Sequence, residues 1–253
     1  MITFAIANQK GGVGKTTTAV NLAAGLANLG KRVLMVDMDP QGNCTSGLGC
    51  DKTALDRTVY HVLTGDYPAS QVLRPTLVPG LSLLPANIQL AGAEIELVTE
   101  QNREYRLKAQ LADLAGDFDV ALIDCPPSIG LLTLNCLAAA QGVLIPIQCE
   151  YYALEGLTQL MNSINLARGS IQPELSLTGA VLTMYDARTS LSAQVAEEVR
   201  RVLREKVFDT VIPRNVRLSE APSYGLPISL YDPSCAGAVA YAALAEELLR
   251  RIS

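Results

Sequence analysis

The chain has 253 residues, 49% of them hydrophobic and 18% charged, which suits one large α/β domain with a single core and is short for two. No apolar run approaches the roughly 20 residues of a membrane span, and no cationic leader precedes the first strand, so a cytoplasmic protein is expected in place of a membrane, secreted or imported one. A net charge of −5 argues against nucleic acid as a partner of the chain as a whole, and six cysteines without a Cys-x-x-Cys pair, beside a single histidine, argue against disulfides and clustered metal sites.

In chain order, Ile2-Thr3-Phe4-Ala5-Ile6-Ala7 reads as a short buried strand, and Thr17 to Leu29 spaces Val20, Leu22, Ala23, Leu26 and Leu29 along one helical stripe. Between them lies Gln9-Lys10-Gly11-Gly12-Val13-Gly14-Lys15-Thr16-Thr17. Strand, glycine-rich loop and helix together make the context of a phosphate-binding loop: the glycines let successive N–H groups turn toward phosphates, and the helix N-terminus adds partial positive charge. Lys15 is expected on the β- and γ-phosphates and the Thr16 hydroxyl on magnesium. Gln9 stands where the usual Gly-x-x-x-x-Gly-Lys-Thr pattern has its first glycine, and Lys10 is a cation that this pattern lacks.

The next strand, Arg32 to Val36, runs into Asp37-Met38-Asp39-Pro40-Gln41-Gly42. Alternation sets Asp37 and Asp39 on one side of an extended chain, where one can serve a magnesium shell and the other orient an attacking water. Gly42 to Pro79, rich in Gly, Asp, Thr and Pro, is the least regular stretch, with one or two short helices expected over the nucleotide edge. Leu81 to Leu84 is a third strand and Glu94 to Ala115 a helix. Val120-Ala121-Leu122-Ile123-Asp124 is a fourth strand, ending in a carboxylate able to hold a metal-bound water.

Helix Leu131 to Ala140, strand Gly142 to Gln148, helix Ala153 to Ala167, strand Leu177 to Tyr185, helix Leu191 to Glu205, strand Val207 to Pro213 and helix Ala236 to Ile252 complete the alternation. The pattern predicts a single α/β domain over residues 1–253, a mostly parallel twisted sheet with helices on both faces and chemistry at the carboxyl ends of its strands. His61 reads as a surface or packing residue and most cysteines as small core residues. From Arg188 to Arg217, seven basic residues stand against four acidic ones, opposite in sign to the chain as a whole.

Four segments, Asn8 to Thr17, Asp37 to Asn43, Thr183 to Thr189 and Pro213 to Arg217, together resemble the ParA/Soj branch of the deviant P-loop ATPases, the MinD/ParA family of chromosome and plasmid partition. The resemblance implies a P-loop NTPase domain that binds ATP with Mg2+, forms an ATP-dependent homodimer face to face across two nucleotides, and then binds non-specific DNA on the nucleoid. It also implies that hydrolysis is weak until a ParB-type centromere-binding protein stimulates it.

By the same resemblance Lys10, Lys15 and Asp39 are catalytic, Lys10 reaching the nucleotide of the facing subunit and Asp39 orienting the water. Lys10, Gly11, Gly12, Val13, Gly14, Lys15, Thr16, Thr17 and Asp39 hold the nucleotide, Pro213, Arg214 and Asn215 border its adenine, and Thr16, Asp37 and Asp124 serve the metal. Pro126-Pro127-Ser128 resembles a switch that senses the γ-phosphate, and Arg188 and Arg217 correspond to DNA-contacting arginines.

Two other branches and one other class stay open. A MinD-like membrane-associated ATPase would end in a basic amphipathic helix, whereas Tyr241 to Ser253, with small residues and two glutamates, looks like a helix packed on the sheet. An iron-protein relative would share a cluster through two cysteines, and Cys125 and Cys136 read as packing residues. A non-catalytic nucleotide switch is the third reading, set against the joint presence of Lys15, Thr16, Asp39 and Asp124.

Overall fold

The computed structural model describes residues 1–128, 130–150 and 153–252, the side chains of 153–156, 158 and 159 excepted. The first half runs β1 (Ile2–Ile6), α1 (Lys15–Asn28), β2 (Val33–Asp37), α2 (Asn43–Gly47), α3 (Val59–Thr64), α4 (Ala69–Val72), β3 (Arg74–Pro75), β4 (Leu81–Leu84), α5 (Leu90–Glu96), α6 (Arg106–Ala112) and β5 (Val120–Asp124). The second half runs α7 (Leu131–Ala139), β6 (Gly142–Gln148), α8 (Ala153–Ser170), β7 (Ser176–Thr183), α9 (Ser190–Leu203), α10 (Val216–Glu220), α11 (Ile228–Tyr231) and α12 (Ala236–Ile252).

The strands form one sheet in the order β3-β4-β2-β5-β1-β6-β7, parallel throughout except for the antiparallel edge strand β3. Near-continuous apolar strands need a core on each side, and alternation supplies it. Val33 and Met35 face the layer of α1, α10, α11 and α12, while Leu34 and Val36 face the layer of α3 and α5 to α9. The chain leaves β1 toward β2 on one side and returns past it from β5 to β6 on the other, so the strand order reverses beside β1. A crevice forms at the carboxyl ends of strands where the order reverses.

Three expectations change. Val207 to Pro213 is not a strand: it meets β7 at the isolated bridge Ala180–Val207 and through the Ile212 N–H bond to the Leu182 carbonyl (2.8 Å), with a second isolated bridge, Tyr185–Pro213, beyond the end of β7. The Glu247 carboxylate of α12 takes the Asp209 and Thr210 N–H groups, each at 2.9 Å, and the Thr210 N–H is the one that would have continued the pairing begun by Phe208. The helix expected over Glu94 to Ala115 is broken into α5, two single 3-10 turns and α6, with Asn102 at φ 55° between them. There the Asn135 side chain donates to the Arg103 carbonyl and accepts the Leu107 N–H, which stops the ladder from running through. Three short helices, α2, α3 and α4, form between Gly42 and Pro79 in place of one or two. His61 has a local task, its Nδ1 accepting the Thr58 N–H at 3.2 Å in the box that caps α3. All six cysteines are free, four of them buried.

Candidate nucleotide site

The loop between β1 and α1 is fixed at both ends. Asn8 donates to the Pro146 carbonyl of β6 (2.7 Å) and accepts the Lys10 N–H (3.0 Å), and the Thr183 hydroxyl at the end of β7 donates to the Val13 carbonyl (2.9 Å). Gly12 (φ 75°) and Gly14 (φ 89°) occupy the left-handed region that a side chain disfavours, and Gly14 is the N-cap of α1. A Cβ on Gly11 or Gly12 would meet no atom within 4 Å, so the backbone of the loop is open to an approaching anion. Lys15 is folded down and buried, its Nζ donating to the Lys10 carbonyl at 3.2 Å. Burial pulls its pKa below the ordinary value while Asp124, Cys125 and Asp39 pull it up. Lys10 is half-exposed, with its Nζ 3.8 Å from Glu150.

Parallel pairing sets Asp37 of β2 directly beside Asp124 of β5, and Asp124 beside Ile6 of β1. Both carboxylates continue the face of β2 and β5 that packs on α1, which carries Lys15 and Thr16 at its first turn. Their environments differ. Asp37 has both oxygens engaged: Oδ2 accepts the Thr45 N–H (2.8 Å) and hydroxyl (2.7 Å), and Oδ1 accepts the Asp39 N–H (3.2 Å). Burial pushes its pKa up to about 6 against those three hydrogen bonds.

Asp124 is equally buried, and neither of its oxygens has a hydrogen-bond partner among the described residues. Burial first, and the neighbouring Asp37 next, push its carboxyl well above the usual range. The Thr16 hydroxyl lies near enough to favour the charged form without completing a hydrogen bond, and Lys15 acts in the same direction. A carboxylate stranded in this way, beside a threonine hydroxyl at a helix N-terminus, fits a hard cation with oxygen ligands. Among the described residues no three His, Cys, Asp or Glu side chains could hold a metal by themselves. Magnesium keeps waters and takes phosphate oxygens with one or two carboxylates, a donor set that Asp124 and the Thr16 hydroxyl could join. Asp37, expected in the metal shell, is committed instead to the turn that follows β2. Asp39 lines the phosphate cleft with Gln41 and Asn43, its Oδ1 accepting the Gln41 N–H at 2.9 Å.

Two clefts meet at Gly14, Thr17 and Met184. One, about 290 Å³, is lined by the glycine-rich loop, Asp39 and Pro127. The other, about 310 Å³, is lined by Pro213, Arg214 and Asn215 together with Ile212, Leu218, Pro222 and Tyr241. Apolar walls with a few polar groups among them suit a planar base. Asn215 caps α10, its Oδ1 accepting the Arg217 N–H at 2.8 Å. Thr183, Met184, Pro222 and Tyr241 also stand at the site, and no role is expected for them from the sequence. Met184 follows directly on the carboxyl end of β7, at φ 51°, and the rule that chemistry gathers at strand ends could have found it. Pro222 and Tyr241 come from elements far along the chain, and no local signal marks them.

Arg188 and Arg217 follow the same edge, on the segments leaving β7 and the base cleft. Arg188 is 87% exposed and makes a fork to Asp186, at 2.9 and 2.7 Å. Arg217 lies on Glu220 (2.9 Å) and Asp232 (3.4 Å). Each arginine therefore rests on a carboxylate of its own chain.

A family model described as an AAA domain matches residues 1–177. The sporulation initiation inhibitor protein Soj of Bacillus subtilis is 57% identical over 245 residues, 97% of each chain. The chromosome partitioning protein ParA of Myxococcus xanthus is 54% identical over 246 residues, 97% of this chain and 87% of that protein. Among solved structures, the cobyrinic acid a,c-diamide synthase of Mycobacterium smegmatis with ADP and magnesium superposes with a TM-score of 0.88 at 44% identity, covering 100% of this chain and 95% of that one.

Proposed function

Because the chain belongs to the ParA/Soj family of chromosome-partitioning ATPases, we propose that it binds ATP with magnesium, pairs face to face with a second copy across two nucleotides, and in that state holds DNA without sequence preference. A ParB-type centromere-binding protein then stimulates hydrolysis and releases it. The protein works in the cytoplasm, on the nucleoid.

The observation that carries this reading is the buried, unpartnered carboxylate of Asp124 beside Thr16 and Lys15. Thr16 and Asp124 would hold magnesium, which when bound neutralises charge on the terminal phosphates. The N–H groups from Gly11 to Thr17 and the Lys15 ammonium bind the phosphate oxygens. Pro213, Arg214 and Asn215 border the adenine, the Asn215 amide facing it as donor because its carbonyl caps α10. Asp39 orients the attacking water in the phosphate cleft. Lys10, half-exposed and held only by a 3.8 Å contact to Glu150, acts on the nucleotide of the facing subunit. Arg188 and Arg217 exchange their own carboxylates for DNA phosphates, and pairing doubles their number, which reconciles an acidic chain with a DNA partner.

Against the membrane reading, α12 spends Tyr241, Leu244, Ala245 and Leu248 inside the fold, with Tyr241 hydrogen-bonded to Thr18 of α1 at 3.1 Å. No helix among the described residues is long and apolar enough to cross a membrane. The experiment is duplex-DNA binding by the full chain with ATP, ADP and no nucleotide. Binding confined to ATP, and weakening steeply with salt, is expected. Equal binding in all three conditions, or ATP-dependent capture by anionic lipid vesicles instead of DNA, refutes the proposal.

A further inference from the structure

Between Asp37 and Asp39 the chain leaves β2 and enters a turn that the Thr45 side chain fastens to the sheet. Thr45, fully buried in α2, donates its hydroxyl (2.7 Å) and its N–H (2.8 Å) to the same Asp37 oxygen. Its Oγ1 also accepts the Ala86 N–H, at 2.9 Å, just beyond β4. One hydroxyl thus bridges the ends of two neighbouring strands.

The backbone of the turn closes on the same point. At Gly42 (φ 62°) a Cβ would lie 2.8 Å from the Ala86 carbonyl oxygen, so the turn and the end of β4 are in direct backbone contact. From Asp37 the chain of bonds continues to the Asp39 N–H (3.2 Å), and the Asp39 carboxylate in turn accepts the Gln41 N–H (2.9 Å). Thr45 lines neither the base cleft nor the phosphate cleft.

We infer that Thr45 is a positioning residue for hydrolysis: by joining Asp37 to Ala86 it sets where the Asp39 carboxylate stands over the phosphate cleft. The inference rests on the proposed role of Asp39 in orienting water and extends it to a residue outside the cleft. A valine matches threonine in shape but not in chemistry, so the exchange removes the hydroxyl's two bonds while leaving the buried volume nearly unchanged. What valine cannot do is donate to Asp37 while accepting from Ala86.

The test is single-turnover hydrolysis of radiolabelled ATP by the full chain with magnesium and duplex DNA, alongside titration of ATP affinity. Thr45→Val is expected to slow hydrolysis by roughly tenfold, the cost of a small misplacement of a reacting group, with ATP affinity within about twofold of the parent. Thr45→Ser, which keeps the hydroxyl, restores the rate. Thr45→Cys, close in size but a weak donor and acceptor, is slow at unchanged affinity and replaces the valine variant if that one does not fold. Asp39→Ala is measured in parallel. If Asp39→Ala is slow while Thr45→Val and Thr45→Cys hydrolyse like the parent, the inference fails and the assignment of Asp39 stands. If Asp39→Ala hydrolyses like the parent, the assignment itself fails. A serine variant no faster than the cysteine one, or equal loss of affinity and rate, also overturns the positioning role.

Discussion

The carboxyl edge of β1, β2 and β5 keeps its charges inside the protein, whereas the segment from Arg188 to Arg217 keeps its charges in water. Lys15, Asp37, Asp39 and Asp124 are each at most 9% exposed. The side chains of Arg188 and Arg217 are 87% and 50% exposed and lie on their own carboxylates. Buried charges shift one another's ionisation and stay where the backbone puts them, while exposed pairs are screened and change partners at little cost. The nucleotide edge is therefore built to act through single residues, and the arginine segment only through many contacts together.

The largest expected effect falls on the buried side. Lys15→Ala removes the buried cation of the loop, and ATP affinity should drop by about 3 kcal/mol, a little over a hundredfold. Titration with a fluorescent ATP analogue checks this, and parent-like affinity would erase the contrast between the two regions.

Asp124→Asn tests whether the unpartnered carboxylate is a cost held in reserve for a cation. In the folded protein burial and the neighbouring Asp37 hold the Asp124 carboxyl well above its ordinary value of 3.8, which it regains on unfolding. Stability without metal should thus fall as pH rises from that value through the raised one and then level off. Asp37, raised to about 6, adds a fall of the same sign, so the asparagine variant should keep only a smaller one, unfold at a higher temperature than the parent near neutral pH in EDTA, and gain less from magnesium and ATP. A fall as large in the asparagine variant as in the parent, read by thermal unfolding in EDTA, would contradict it.

Effects on the exposed side are smaller and act in aggregate. Arg188→Glu and Arg217→Glu should each weaken DNA binding while ATP affinity holds, and each should lower the slope of log K against log salt by about 1. A slope that does not move would remove that arginine from the DNA face. Smallest of all, Arg188→Ala should change the melting temperature little, because the arginine's side of its fork to Asp186 is 87% exposed. A clear fall in melting temperature would show that the exposed pair is structural after all.

Much of the nucleotide edge is legible in the amino-acid sequence, because its key residues are neighbours along the chain. Gly12 and Gly14 must turn where Lys15 begins a helix, and Val33 to Asp37 or Val120 to Asp124 must end at the same edge once the strands run parallel. The arginine segment is legible only as composition. That Arg188 finds Asp186, and Arg217 both Glu220 and Asp232, depends on turns that no periodicity reports. The apolar run Val207 to Pro213 misleads for a related reason: its strand-like pattern is real, but Glu247, which lies 38 residues beyond Asp209, takes two of its amides.

Local spacing is enough for the parallel α/β order, the phosphate loop and the pair of strands that end in aspartate, since backbone geometry obliges the chain to follow each pattern where it is written. It is not enough for the task of each buried carboxylate. Asp37 and Asp124 end equivalent strands side by side, yet Thr45 and the Asp39 N–H engage both oxygens of one, and no described residue completes a hydrogen bond to the other. Hydrogen bonds between separate segments of the folded chain make that difference, and a buried charge takes its role from the partners the fold brings to it.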